Sequence, residues 1–400
     1  MNILLLCNKS PWPPKEGGPI AMNAMVTGLI QAGHMVKVLA INSNKYNISK
    51  DEIPAEYRQR TRFETVYIDL SVKPLPAFLN LFTGRSYHVE RFISEDFSSI
   101  LISILRTEKF DIIQFETLFT TPYLPLIRKF SSAKLVLRAH NIEHLIWKRV
   151  ASESRNPLKR LYLTHLWKTL RKYELDLLNQ VDGIVAITGK DAGWFSKMAP
   201  ETKVTGIPFG IDTESAAKVK TIGDPQVTLF HIGAMNWIPN QEGIRWFLQK
   251  VWPQLLKKYP DLKFHLAGRE MPSWLRNLNV KGVVIDGEVP DAALYMSNHS
   301  IMVVPLFSGS GIRIKIVEGM LAGKAIVTTA IGAEGIDCSD GENILIAGTR
   351  DTFIDKIGML VENPSLIPAF GKKAQKTVII NHDNRQLMKK ISDFYRDILH

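Results

Sequence analysis

Short apolar runs recur along this chain. Between most of them lie stretches whose apolar positions fall three and four residues apart. The runs Asn2–Cys7, Met35–Ile41, Thr65–Leu70, Ile112–Phe115, Lys134–Leu137, Ile184–Ile187 and Val204–Ile207 predict strands, with helices between most of them. Alternation of this kind predicts parallel β/α units in a doubly wound sheet. The pattern loosens over PFGIDTESAAKVKTIGDP, which reads as a linker. A second series then follows at Val227–Ile232, Phe264–Leu266, Val283–Ile285, Ile301–Val304, Ala325–Thr328 and Ile344–Ile346. The fold class expected is α/β, with two Rossmann-like doubly wound domains, 1–207 and 208–379, facing across a cleft. Ligands bind such sheets at the C-terminal edges of their strands. The last helical stretch, Arg385–Leu399, has no strand after it.

The stretch IMVVPLFSGSGIRIKIVEGMLAGKAIVTTAIGAEGI, Ile301 to Ile336, carries the most chemistry. An apolar strand is broken by Ser308, Gly309, Ser310 and Gly311, and a helix is expected from near Gly311 to Gly323. A Gly-rich turn at a helix N-terminus offers free N–H groups and the positive dipole end to phosphate. Arg313 and Lys315 add cations to that turn, and Glu318 lies two turns in, within reach of hydroxyls on the phosphate's carrier. The bland alternatives are a solvated face for Arg313 and Lys315 and an i,i+3 ion pair with Lys315 for Glu318.

Other segments refine the picture. Gly17 and Gly18 stand at a helix start after a Pro- and Gly-rich loop, but no GxGxxG is present and the second strand ends in Asn and Ser rather than an acid. Both facts count against a dehydrogenase. His140 follows an apolar strand and so sits at its C-terminal edge. Gly233 ends the first strand of the second series, with Asn236 and Trp237 in the loop that follows. Thr188 can cap the helix after its strand.

The net charge of +11, from 50 basic against 39 acidic residues, points to an anionic partner. Much of it crowds Arg155–Glu174, interleaved with Leu, Tyr and Trp. Together with the apolar loop candidate Leu75–Phe82, this combination suits an anionic membrane interface, and a packed helix with a solvated basic face is the alternative. No nucleic-acid motif accompanies the charge, so nucleic acid is not an expected partner. No apolar run approaches the ~20 residues of a membrane span. The start, MNILLLCN, lacks the basic n-region of a signal peptide, and the two cysteines form no metal or disulfide pattern. A cytoplasmic location is expected, peripheral at the inner face of the membrane if the basic stretch binds lipid.

The order Pro305, GSG, RIK, Glu318, GxxAGxAIVTT, GAEG resembles the donor-sugar site of the family-four, group 1 glycosyltransferases, retaining enzymes of the GT-B fold. The resemblance is specific at Leu306–Gly335, moderate at Leu137–Trp147 and Gly233–Asn240, and weak elsewhere. It implies a nucleotide diphosphate sugar as donor substrate, a glycan or lipid-linked hydroxyl as acceptor, and neither metal nor cofactor. It implies that Glu318 binds the ribose hydroxyls, that His140 contacts the donor sugar, and that the Gly17–Gly18 loop faces sugar and acceptor. It also implies that the last helix, 380–400, packs back on the first domain.

The chain departs from the family in three places. Ser310 replaces the first of two glutamates eight positions apart. Phe209 stands where the interdomain segment usually has Asn. The loop from Gly233 to Gly243 lacks the usual Arg and Lys, and follows instead a subgroup pattern, G-x-M-x-W-x-P-N, through Gly233, Met235, Asn236, Trp237, Pro239 and Asn240. Arg313 and Lys315 are then expected to take over the lost charge on the diphosphate. The expected catalytic residues are His140, Arg313 and Lys315. The expected donor-binding residues are Gly17, Gly18, Gly233, Asn236, Gly309, Ser310, Gly311 and Glu318. A non-catalytic sugar-binding member of the fold and a nucleotide-sugar epimerase stay open at this level.

Overall fold

The computed structural model describes the whole chain except Lys15, Lys45, residues 214–225 and Ser310. Most of the expected linker, and one residue of the phosphate turn, thus lie outside the described residues. The chain divides into two compact units. The first comprises Met1–Gly210 with Asn384–His400, and the second Ile211–Asp383.

The first unit is built on a seven-stranded parallel sheet: β1 (Asn2–Cys7), β2 (Met35–Ser43), β3 (Glu64–Ile68), β4 (Ile112–Glu116), β5 (Lys134–Ala139), β6 (Gly183–Ala186) and β7 (Lys203–Gly206), in the order β3-β2-β1-β4-β5-β6-β7. The period of two explains the unbroken apolar strands. On β1, Leu4 and Leu6 enter one core cluster, while Ile3, Leu5 and Cys7 enter the cluster on the other face. That second cluster is closed by the helix Gly17–Gln31 and by Leu387, Met388, Ile391, Tyr395 and Ile398 of the terminal helix Asn384–Leu399.

The second unit carries β8 (Thr228–Ile232), β9 (Lys263–Ala267), β10 (Val283–Gly287), β11 (Ile301–Val304), β12 (Ala325–Thr328) and β13 (Leu345–Ile346), in the order β10-β9-β8-β11-β12-β13. Strand order reverses between β1 and β4 in the first sheet and between β8 and β11 in the second. A crevice opens at the C-terminal ends of strands at such a reversal.

Several elements differ from expectation. The helix expected from near Gly311 begins at Ile314, with Arg313 as its N-cap. Gly309 and Gly311 have φ of +112° and +76°, which no helical residue adopts, so the turn lasts longer than the apolar spacing implies. The Leu75–Phe82 segment is not a loop: Pro74–Asn80 is helical, with proline in its first turn. Residues 380–382 end the helix Leu366–His382, and extended Asp383 separates it from the terminal helix. No described helix is long and apolar enough to cross a membrane.

Candidate functional site

In the second unit, the exits of β8 and β11 bring together residues far apart in sequence. His231, on β8, is fully buried. Its Nδ1 lies 2.7 Å from the Val303 carbonyl. A carbonyl only accepts, so Nδ1 carries the proton and Nε2 presents a lone pair. Lys315 Nζ lies 3.2 Å from that Nε2 and donates to Asn240 Oδ1 at 2.6 Å. The same Asn240 donates through Nδ2 to the Ala234 carbonyl at 2.8 Å, which fixes its amide. Burial, and then the neighbouring Arg313 guanidinium, lower the Lys315 pKa to about 7. Burial and the same Lys315 push His231 well below the usual imidazole range.

Glycine is required where this group is tightest. A Cβ on Gly233 would stand 3.0 Å from both the Asn240 amide nitrogen and Lys315 Nζ. A Cβ on Gly309 would meet the Trp237 ring at 2.9 Å. Arg313 is buried, donates through Nη1 to the Gly311 carbonyl, and sits 5.6 Å from the centroid of the Trp237 ring. The turn therefore carries a guanidinium and a lysine of lowered pKa at the N-terminal end of the helix Ile314–Leu321. Further along it, burial raises the Glu318 pKa. Glu318 makes no ion pair with Lys315 among the described residues, so the bland reading of that pair does not apply. Asn236 turns away, donating to Glu270 Oε2 at 2.8 Å on the exposed surface. Asn240, not Asn236, meets Lys315. Trp246 packs on Phe307 and Phe353 as core.

In the first unit, His140 leaves the end of β5. Its Nε2 lies 3.0 Å from Oε2 of Glu116, which is fully buried at the end of β4. Glu116 Oε1 accepts from Gln114 Nε2 at 2.6 Å, and Gln114 Oε1 in turn accepts from the Tyr395 hydroxyl on the terminal helix. Arg138, fully buried, is the register partner of Glu116 on β5. With a carboxylate as acceptor, Nε2 of His140 carries a proton. Glu143 stands nearby, buried, with Asn141 Nδ2 3.2 Å from its Oε1. Burial and the neighbouring Glu174 raise its pKa to about 7.

His144 is structural: its Nδ1 lies 2.6 Å from Glu174, whose carboxylate also accepts from the Glu143 and His144 amides. Gly17 and Gly18 open the helix Gly17–Gln31, and a Cβ on Gly18 would meet Lys9 Cε at 2.7 Å. Thr188 accepts from the Asp191 amide at 3.0 Å and caps its helix.

Sequence reasoning missed His231 and Glu116 as members of these groups, and placed Asn240 only in the subgroup pattern of its loop. The available signal was a polar residue inside an otherwise apolar strand, TLFHI and IIQFE.

The comparisons with known proteins bear on family and fold. A family model described as glycosyl transferases group 1 matches residues 226–363, and one described as glycosyltransferase family 4 matches residues 17–215. An uncharacterized 44.6 kDa protein in the cps region of Klebsiella pneumoniae is 22% identical over 399 residues, covering 97% of this chain and 98% of that one. Sucrose-phosphate synthase from Thermosynechococcus elongatus superposes with a TM-score of 0.70 at 13% identity, over 100% of this chain and 99% of that one. Anabaena HepE in complex with UDP gives 0.65 at 14% identity, over 99% and 100%. The pneumococcal O-GlcNAc transferase GtfA in complex with UDP and GlcNAc gives 0.66 at 12%, over 100% and 99%. These likenesses show the GT-B fold, and with both family models matched, the chain belongs to the group 1, family 4 glycosyltransferases.

Proposed function

We propose that this glycosyltransferase moves a sugar from a nucleoside diphosphate donor to an acceptor hydroxyl, with retention at the anomeric carbon. The observation that carries this reading is the pair of cations, Arg313 and Lys315, on a glycine turn at the end of β11. An anion is the ligand that such a turn favours. Charge develops on the leaving diphosphate, and cations held in place before the reaction stabilise it without reorganisation. In the step itself, the bond from the anomeric carbon to the donor phosphate oxygen breaks. The acceptor oxygen bonds to that carbon on the same face, and its proton passes to the departing phosphate. Glu318 anchors the ribose diol, Gly309 and Gly311 shape the phosphate turn, and Gly233 leaves room beside it; Ser310 keeps the donor-binding role expected from its place in the sequence. His140 and the Gly17–Gly18 loop are assigned to the sugar and acceptor by family resemblance. No metal or cofactor is invoked.

The acceptor is a surface polysaccharide or lipid-linked glycan. The relative encoded in a cps region supports that reading. Peripheral attachment to the inner face of the membrane goes with it. The helix Pro157–Leu178 exposes Leu158 and Leu161 beside Lys159, Arg160 and Lys168. The helix Pro74–Asn80 exposes Leu75, Phe78 and Leu79. Tyr87 links the two: its hydroxyl accepts from the Lys73 amide at 3.0 Å, and its ring packs with Leu163 and Leu166.

A thermal-shift screen of nucleoside diphosphates and their sugars tests the donor. One nucleotide family should raise the melting temperature, with a smaller or absent rise in Arg313→Ala. Transfer to an acceptor with the α or β configuration of the donor retained completes the test. Donor binding with neither transfer nor hydrolysis would make the chain a binding member of the fold. Altered sugar configuration without acceptor would make it an epimerase.

A further inference from the structure

On the other half of the second sheet, away from the phosphate turn, three side chains from three segments converge. His265 lies within β9, in register with Phe230 of β8 rather than at the strand exit. Asp286 lies on the edge strand β10, and His299 precedes β11. One ligand atom from each of the three lies within 4.8 Å of the other two. His265 Nδ1 is 3.1 Å from Asp286 Oδ2 and 3.4 Å from Oδ1. The two imidazole rings are 4.4 Å apart. We propose that His265, Asp286 and His299 form a binding site for a divalent cation of the zinc class.

The donor set supports the class of ion. Two imidazoles and one carboxylate suit a borderline cation, whereas calcium and magnesium prefer oxygen throughout. Bonds of ~2.0–2.2 Å place tetrahedral ligands ~3.3–3.5 Å apart, so no edge of the cluster has to close by more than ~1.5 Å when an ion enters. The carboxylate already has an orienting partner, because the Tyr295 hydroxyl donates to Asp286 Oδ2 at 2.7 Å. His299 has one as well, with Nδ1 3.3 Å from Thr228 Oγ1. Partners of this kind hold ligands in place and are worth about 10–100-fold in metal affinity. The side chains of His265 and Asp286 are 20% and 24% exposed, which leaves an entry path. Phe230 packs on His299 from the sheet, its ring centroid 5.5 Å away. A bound ion ties the edge strand β10 to β9 and to the start of β11, so its effect is on the stability of the second unit. The competing reading is a hydrogen-bonded His265–Asp286 pair with His299 stacked on it, which binds no metal.

The full chain, stripped with a chelator and titrated with Zn²⁺ by calorimetry, tests the site. The expected result is saturable binding of one equivalent, with a raised melting temperature. His299→Ala, Asp286→Asn and His265→Gln should each weaken binding at least about tenfold, and His400→Ala should leave it unchanged. Co²⁺ should give the visible absorption of nitrogen-coordinated ion rather than of the hydrated ion. Absence of stoichiometric Zn²⁺ binding, or binding that survives in all three cluster variants, overturns the proposal. So does a hydrated-ion Co²⁺ spectrum on the wild-type chain, which needs no variant to fold.

Discussion

Lys315 is the residue whose chemistry the fold alters most. Its folded pKa, about 7, lies below the ordinary lysine value. The unfolded chain therefore binds the extra proton between those two values. The destabilising contribution is fully present below about pH 7 and fades as pH rises from there toward the ordinary lysine value. A bound diphosphate reverses the balance by favouring the ammonium. We therefore expect proton uptake on binding of the nucleoside diphosphate that the screen selects, near and above pH 7, read by calorimetry in buffers of different ionisation enthalpy. Lys315→Arg should abolish the uptake. Arg313→Ala or Lys315→Ala should weaken donor binding or turnover by ~1–3 kcal/mol, the worth of a charge-assisted contact. Full activity in both would end the compensation argument.

His140 has its own test. Glu116→Gln removes the carboxylate that holds its proton on Nε2. Transfer should then fall while nucleoside diphosphate affinity stays nearly constant, and the tautomer seen by nitrogen NMR should change. Parallel loss of binding and melting temperature would show that the pair only supports the fold.

At the scale of elements, the glycine turn and the terminal helix matter most. Gly311 holds φ +76° just before the N-cap Arg313. An L side chain there costs ~1–2 kcal/mol, so Gly311→Ala should lower the melting temperature and disturb nucleotide binding together. The terminal helix Asn384–Leu399 is strongly amphipathic and places Ile391 fully buried in the core of the first unit. Ile391→Ala should cost ~2–5 kcal/mol in denaturant unfolding. A cost near zero would mean that the helix does not cover that sheet in solution. The helical period of this segment was legible in the sequence. Its partner was reached only through the family resemblance, because sequence spacing reports which face is apolar and says nothing about which sheet receives it.

At the scale of the whole molecule, in a chain of net charge +11, the exposed Leu158 and Leu161, 79% and 71% accessible, share one helix face with Arg155, Lys159 and Arg160 nearby. Each basic residue near an anionic surface contributes about 1 kcal/mol, and salt screens it. Co-sedimentation with anionic vesicles should be strong at low salt, weaken as salt rises, and fall in Leu158→Ser/Leu161→Ser. Vesicles that fail to retain the protein at low salt would remove membrane attachment from the proposed function.

The sequence by itself determined the alternation of strands and helices, the two series of parallel units, and the glycine turn with Arg313, Lys315 and Glu318. These are local matters: a buried strand needs an apolar run, a helix needs its period, and a phosphate turn needs glycine beside cations. Only the tertiary structure decided which polar groups meet. His231 and Asn240 lie far from Lys315 in sequence, and parallel strand order brings them to within hydrogen-bond reach of its ammonium. Glu116 reaches His140 because β4 and β5 are neighbours, and Tyr395 joins them because the last helix returns to the first sheet. The same contacts set the proton affinities, because a pKa depends on burial and on charges a few ångströms away.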